Sequence, residues 1–428
     1  MESLLLKSLP FAKVLFSFIL MLIGMRLRIS LGLSILVGGL VMALLFGLGP
    51  VAFVKTGALA LTQDKFLYLA AIVGLILILS DAMERSGQSR RLMDSLSGYL
   101  TSPRLRLIFF PALIGLLPMP GGAVFSAPMV KTVSSDMRIS NSDRAVVNYW
   151  FRHVWEMCWP LYPGIILTVA LADIPIIDLI SRTWPATPIM LLLGWFFYLR
   201  PGVLKASDLA LDIPPAPRRP KVALREGLPL LIAIVGAIGL EASIASFLPS
   251  MDFELGVIAA LLLSVVCVMA QNTSLGLPFL KAVLSKKSLW AMIFVITSIF
   301  IFKDVMQAAG VVQEMSRVAG GDAALIASAT FLPFLVGMVA GINVAFVGAT
   351  FPLMLGVLQN LGMQDQTIPY LVLAQFSGFT GVMISPIHIC FILTCQYFEC
   401  DLASTWRKVV APCLIFIALG VGIFLFLR

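Results

Sequence analysis

PALIGLLPMPGGAVFSAPMV, residues 111–130, is apolar enough for a membrane and too interrupted to cross one. Pro118-Met119-Pro120-Gly121-Gly122 breaks it in the middle, because proline removes a backbone donor and glycine loosens the chain. A spanning helix needs about 20 residues for a hydrocarbon core of roughly 30 Å. Each arm here has about 11 residues, which reach only roughly 16 Å at 1.5 Å per residue. The stretch therefore reads as a hairpin that enters to the midplane and returns. Residues 333–355, PFLVGMVAGINVAFVGATFPLML, are built the same way.

The rest of the chain agrees with a membrane setting. Of its 428 residues 60% are hydrophobic and 12% charged, and mean hydropathy is +1.00. That composition implies an all-α polytopic membrane protein with room for about ten spans. Residues 9–25 lack a small-residue cleavage site and read as a retained first helix rather than a signal peptide. The net charge of +8 is scattered over short loops, which fits positive-inside topology and not a nucleic-acid surface. The six cysteines lack C-x-x-C spacing, so neither a disulfide framework nor a zinc site is indicated. No cofactor is implied.

Spans are expected near residues 9–25, 29–49, 66–79, 146–172 (broken), 185–199, 227–247, 255–270, 289–302, 368–398 (broken) and 409–427. The hairpins occupy 107–131 and 323–358. A proline-rich linker over 200–226 divides a first unit, 1–199, from a second, 227–428. Most of the 30 Lys and Arg residues fall in the loops at 26–28, 81–106, 131–144, 200–226, 271–287 and 399–408. The positive-inside rule puts these loops in the cytoplasm and both termini on the periplasmic side of an inner membrane.

An internal repeat sharpens this. Residues 66–87 align without a gap on 289–310, placing Asp81 on Asp304 and Gly87 on Gly310. Pro111-Ala112-Leu113-Ile114-Gly115 matches Pro333-Phe334-Leu335-Val336-Gly337, and 160–168 (PLYPGIILT) matches 386–394 (PIHICFILT). With the topology above, the two copies are inverted five-span repeats, each with one re-entrant hairpin and one broken helix. Inverted repeats with discontinuous helices are the pattern of secondary transporters, whose site lies at the midplane between the copies.

This arrangement resembles the ion transporter superfamily, which includes gluconate, citrate and dicarboxylate permeases. PMPGGAVFSAPMV (118–130) and NYWFRHVWEMCWPLYPG (148–164) resemble an uncharacterised bacterial domain-of-unknown-function branch of it. The resemblance implies alternating access driven by an ion gradient, and a homodimer formed through scaffold spans. The paired Ser-Asn-Thr signature of the sodium/dicarboxylate branch is absent from both hairpin tips.

The candidate site follows from the breaks. Each return arm starts a helix at depth, whose free N–H groups favour an anion. At the tips, Pro120, Gly121, Gly122 and Gly341 expose backbone, while Ser126 and Asn343 offer polar side chains; tight helix packing is the alternative reading of the glycines. Helical spacing places Asn148, Arg152 and Glu156 on one face, with Arg152 suited to a carboxylate or phosphate. An i,i+4 structural ion pair is the alternative. His153, Glu156 and His388 are the proton-carrying candidates, and the two histidines are the only ones in the chain. Ser377, Thr380 and Ser385 offer neutral oxygens to a substrate, with simple helix–helix hydrogen bonding as the alternative. Carbonyls unwound around Trp159–Gly164 and Ser385–His388 could take Na+. Asp81 and Asp304 read as helix caps.

No Walker, nucleophile-elbow or H-E-x-x-H motif is present, so an enzyme is not expected. The expected partners are a small organic anion, H+ or Na+, and the bilayer; no nucleic acid is expected. The leading expectation is an H+-coupled secondary transporter, with Na+ as the second coupling ion. The alternatives are the membrane subunit of a multi-component transporter and a lipid-carrier flippase.

Overall fold

The structure is a computed structural model that describes residues 2–100, 102–118, 122–135, 137–201, 204, 218–248, 251–318 and 322–428. Pro120, Gly121 and most of the linker at 200–226 lie outside the described residues. The described residues form helices, turns and loops, with no strand among them.

The first half runs α1 (Glu2–Arg26), α2 (Leu31–Leu45), α3 (Pro50–Ala60), α4 (Asp64–Arg85) and α5 (Gln88–Ser97). A hairpin follows, α6 (Pro103–Ile114) and α7 (Ala123–Val133), then an interrupted pair, α8 (Asn141–Arg152) and α9 (Pro163–Ala172). It closes with α10 (Ile176–Thr183) and α11 (Ala186–Gly194), which continues into a π-turn at Trp195–Leu199. The second half takes the same order: α12 (Pro220–Phe247), α13 (Glu254–Gln271), α14 (Leu277–Leu284), α15 (Lys287–Ala308) and α16 (Val311–Val318). Its hairpin is α17 (Asp322–Ala340) and α18 (Asn343–Asn360), its interrupted pair α19 (Thr367–Ile384) and α20 (Ile389–Tyr397), and α21 (Leu402–Leu427) is last.

Local chemistry accounts for the breaks. Ser385 precedes a proline, which disfavours α geometry, and it is extended at φ −67, ψ 120, ending α19. Pro163 sits in the first turn of α9, where its missing N–H costs nothing. Gly341 turns α17 into α18 at φ +66, a conformation open mainly to glycine. Gly87 and Gly310, aligned in the sequence, stop α4 and α15 at φ +70 and +72.

Eight helices among the described residues are long and apolar enough to cross a membrane, so the chain is a multi-pass membrane protein. Two of the ten expected spans are not among these eight. The second is 15 residues long as α2, and the fourth is split into α8 and α9, of 12 and 10 residues. The third span is longer than expected at 22 residues, because α4 continues past the apolar run through the polar stretch from Ser80 to Arg85.

Packing is reciprocal between the halves. α2 lies on α15 while α13 lies on α4, α1 meets α16 while α12 meets α5, and α7 meets α20 while α18 meets α9. Small residues allow matching close approaches. A Cβ on Gly115 would stand 2.2 Å from the Arg152 carbonyl oxygen, and one on Gly337 would stand 2.3 Å from that of Gly378. Asp81 and Asp304 are not caps. Each lies inside its helix and binds the residue just before the facing one: Asp81 pairs with Lys286 and Arg85, and Asp304 accepts from Gln63 at 2.6 Å.

Candidate functional site

α8 ends at Arg152, and the chain then descends through turns at 153–158. Glu156 is therefore not on the next turn of α8 after Arg152, as helical spacing had placed it. The turns nonetheless return its Oε1 to 3.9 Å from an Arg152 nitrogen and 3.7 Å from His153 Nε2. Arg152 and Glu156 are only 2% and 9% exposed. A charge at such depth is costly and must be held by neighbours.

Both hairpins reach these residues. A Cβ on Gly122 would lie 2.3 Å from an Arg152 guanidinium nitrogen, so the glycine brings the start of α7 against that cation and a larger residue would displace it. From the other hairpin, Asn343 at the start of α18 donates to Glu156 at 2.7 Å. Gly164 faces Asn343 closely enough that a Cβ would stand 3.1 Å from the asparagine's own. Gly341 lies against His388 and Ser385, and the Ser385 hydroxyl donates to the Met338 carbonyl at 2.7 Å, fixing α19 to α17.

The two histidines meet at the centre. His153 Nε2 is 3.1 Å from His388 Nε2, and each Nδ1 contacts a backbone carbonyl, Tyr149 for His153 (2.6 Å) and Gly341 for His388. A carbonyl only accepts, so both Nδ1 atoms are donors. Neutral rings then present two Nε2 lone pairs to each other, an arrangement that needs an electrophile between them. Cys390, in the first turn of α20, adds its sulfur to the same sphere.

A cavity of about 400 Å³ opens onto this cluster. Arg152, His153, Glu156, Asn343, His388 and Cys390 line its polar end, with Pro118, Tyr162, Pro163 and Gly164 beside them. Its other walls are apolar and include Leu77, Met292, Phe294 and Val295 from the span helices α4 and α15.

Seven of the expected site residues that are described do not line it: Gly122, Gly341 and Ser385 pack beside the cluster, and Ser126, Thr380, Ser377 and Asn148 sit within or between helices. Ser126 and Thr380 return their hydroxyls to carbonyls of their own helices, Ala123 and Phe376. Ser377 is buried in α19 without a hydrogen-bond partner among the described residues. The Asn148 amide donates to the Ala123 carbonyl and to Thr394, tying α8 to α7 and α20. The matching tie across the halves runs from Gln375 to Thr168 at 2.6 Å. Trp155 and Trp150 are likewise packing residues, donating to the Ala112 and Met190 carbonyls. Cys390 was missed in the sequence, although its place two residues after His388 in the second break was the available signal.

Fold and cavity together define a multi-pass α-helical membrane protein with a buried ionisable cluster between two hairpin tips. The family described as "Protein of unknown function (DUF401)" matches residues 8–427, and the chain belongs to it. No curated protein matches the chain.

Proposed function

We propose that this protein is a secondary active transporter that moves a small organic anion across the inner membrane by alternating access. The observation that carries the reading is Arg152, a buried guanidinium against Gly122 at one hairpin tip, lining the same polar end of the cavity as Asn343 of the other tip. Guanidinium offers a planar fork of donors suited to a carboxylate or phosphate. The starts of α7 and α18 add backbone N–H groups at the positive ends of helices.

The same reading takes the two halves as inverted repeats with re-entrant hairpins, ten crossings and periplasmic termini, as in the ion transporter superfamily. The common element order, the paired glycine stops and the reciprocal packing support it. One bundle, hairpins plus interrupted helices, would rock against the span helices to alternate access. H+ is the first candidate for coupling and Na+ the second; a homodimer follows from the resemblance.

The test is a thermal-shift screen of carboxylates and phosphates at two pH values, with and without Na+, followed by uptake into proteoliposomes. A stabilising anion whose effect disappears in Arg152→Ala, and weakens at least tenfold in Asn343→Ala, would support the assignment. Full binding in both variants would remove these residues from the site. Absence of uptake under any imposed pH or Na+ gradient would remove the transport reading.

The apolar walls favour a second reading, a flippase for a lipid-linked anion, whose chain those walls would cover. Anions of equal charge and increasing alkyl length separate the two. Binding that strengthens with each added methylene favours the flippase.

A further inference from the structure

Cys390 faces the polar end of the cavity and has no part in holding an anion. We propose that His153, His388 and Cys390 form a binding site for a borderline-soft divalent transition metal ion, with Zn2+ the best match. The inference goes beyond the transport reading and does not rest on it.

The three donor atoms all lie within 4.8 Å of one another, and all three residues are buried. The nitrogens are separated by 3.1 Å, close to the roughly 3.3 Å that two imidazoles take on one tetrahedral zinc with Zn–N bonds of about 2.05 Å. Their orientation is already that of ligands. Each Nδ1–H is held by a backbone carbonyl, the outer contact that fixes a metal-binding histidine with its Nε2 lone pair forward. A single shared proton would satisfy the two nitrogens, but it would leave the convergence of the sulfur without a role.

The donor set also selects the metal. Two imidazoles and a thiolate suit Zn2+ or Co2+, whereas Mg2+ and Ca2+ require oxygen ligands. Glu156, with Oε1 3.7 Å from His153 Nε2, supplies a nearby carboxylate that offsets the added charge beside Arg152. All three residues line the cavity, which would give the ion a route in and leave room for a water or an anion as a fourth ligand. Binding displaces the Cys390 thiol proton, since only the thiolate is a ligand.

The experiment uses the full chain, purified without a polyhistidine tag, stripped with chelator and titrated with Co2+. The expected result is one equivalent bound, with a thiolate-to-cobalt charge-transfer band, visible bands of tetrahedral intensity, and displacement by Zn2+ but not by Mg2+. Cys390→Ser should lose the charge-transfer band and bind at least tenfold more weakly. His388→Gln should lose saturable binding while eluting as the same monodisperse peak. The proposal is overturned if the wild type binds no Co2+ or Zn2+ saturably. It is equally overturned if both variants bind as the wild type does, which would place the metal on other thiols such as Cys395 and Cys400.

Discussion

His153 and His388 stand Nε2 to Nε2 at 3.1 Å, although 235 positions separate them in the chain. Each comes from the break of a different interrupted helix, and each is held by a carbonyl through its other nitrogen. The contact is a direct tie between the two halves at the depth of the cavity. Residues in contact couple energetically by about 0.5–3 kcal/mol, whereas distant ones add. The double variant His153→Ala/His388→Ala is therefore expected to lose less stability than the sum of the two single variants. Strict additivity of the three midpoints, measured by unfolding in a denaturing detergent, would mean that the rings do not interact.

The close glycine approaches make a sharper stability test. A methyl at Gly337 would meet the Gly378 carbonyl at 2.3 Å and the Val382 amide nitrogen at 3.1 Å, both helix backbone that cannot move aside cheaply. Gly337→Ala should cost about 1–3 kcal/mol through overpacking and separate α17 from α19. Gly74 is also helical but has nothing within 4 Å of its Cβ position, so Gly74→Ala should be neutral or slightly stabilising. Thermal midpoints that fall equally for both variants would contradict the packing.

Much of the fold was legible because backbone breakers are local signals. Pro386 ends α19 at Ile384, Pro163 begins α9, and Gly87 and Gly310 stop their helices wherever the rest of the chain lies. The gapless alignment carrying Asp81 onto Asp304 also located two helices of equal length. Side-chain partners were less legible. Asn148, Ser126 and Thr380 are polar residues in apolar helices, and only tertiary contacts tell a hydroxyl returned to its own carbonyl from one facing a cavity. Cys390 was passed over because its metal-binding spacing exists in space, not along the chain. The face shared by Arg152 and Glu156 was right as a contact and wrong as geometry, since α8 stops between them.

The aligned aspartates give a comparison within one molecule. Asp304 accepts one hydrogen bond from the Gln63 amide and lies 3.6 Å from Lys303. Asp304→Asn keeps an acceptor for Gln63 and should cost about 0.5 kcal/mol or less. Asp81 instead faces two cations, Arg85 at 2.9 Å and Lys286. Asp81→Asn removes the charge both depend on and should cost about 1–3 kcal/mol. Adding Lys286→Gln, which installs the residue type found at position 63, should restore part of that loss. Equal costs for the two single variants, read from denaturation midpoints in detergent, would mean that the two pairs differ in sequence but not in energetics.

Inverted topology can be examined at two exposed hydrophilic positions, one at the base of each hairpin. Ser135 follows α7 and Gln364 follows α18, and both are open to solvent. If the halves are related by a two-fold axis in the membrane plane, these positions face opposite compartments. Single cysteines there are best compared in a chain whose partly exposed thiols, Cys158, Cys267 and Cys400, have been replaced. A membrane-impermeant maleimide added to intact spheroplasts should label Gln364→Cys and spare Ser135→Cys; inverted vesicles should reverse this. The positive-inside rule gives the same assignment, because Lys131, Arg138 and Arg144 surround Ser135 while the loop around Gln364 carries no Lys or Arg. Labelling of both positions from one side would make the halves parallel, and the two hairpins could not approach the cavity from opposite faces. A parallel pair is a different transporter geometry, with its axis along the membrane normal, and the rocking of one bundle about the cluster would have to be abandoned.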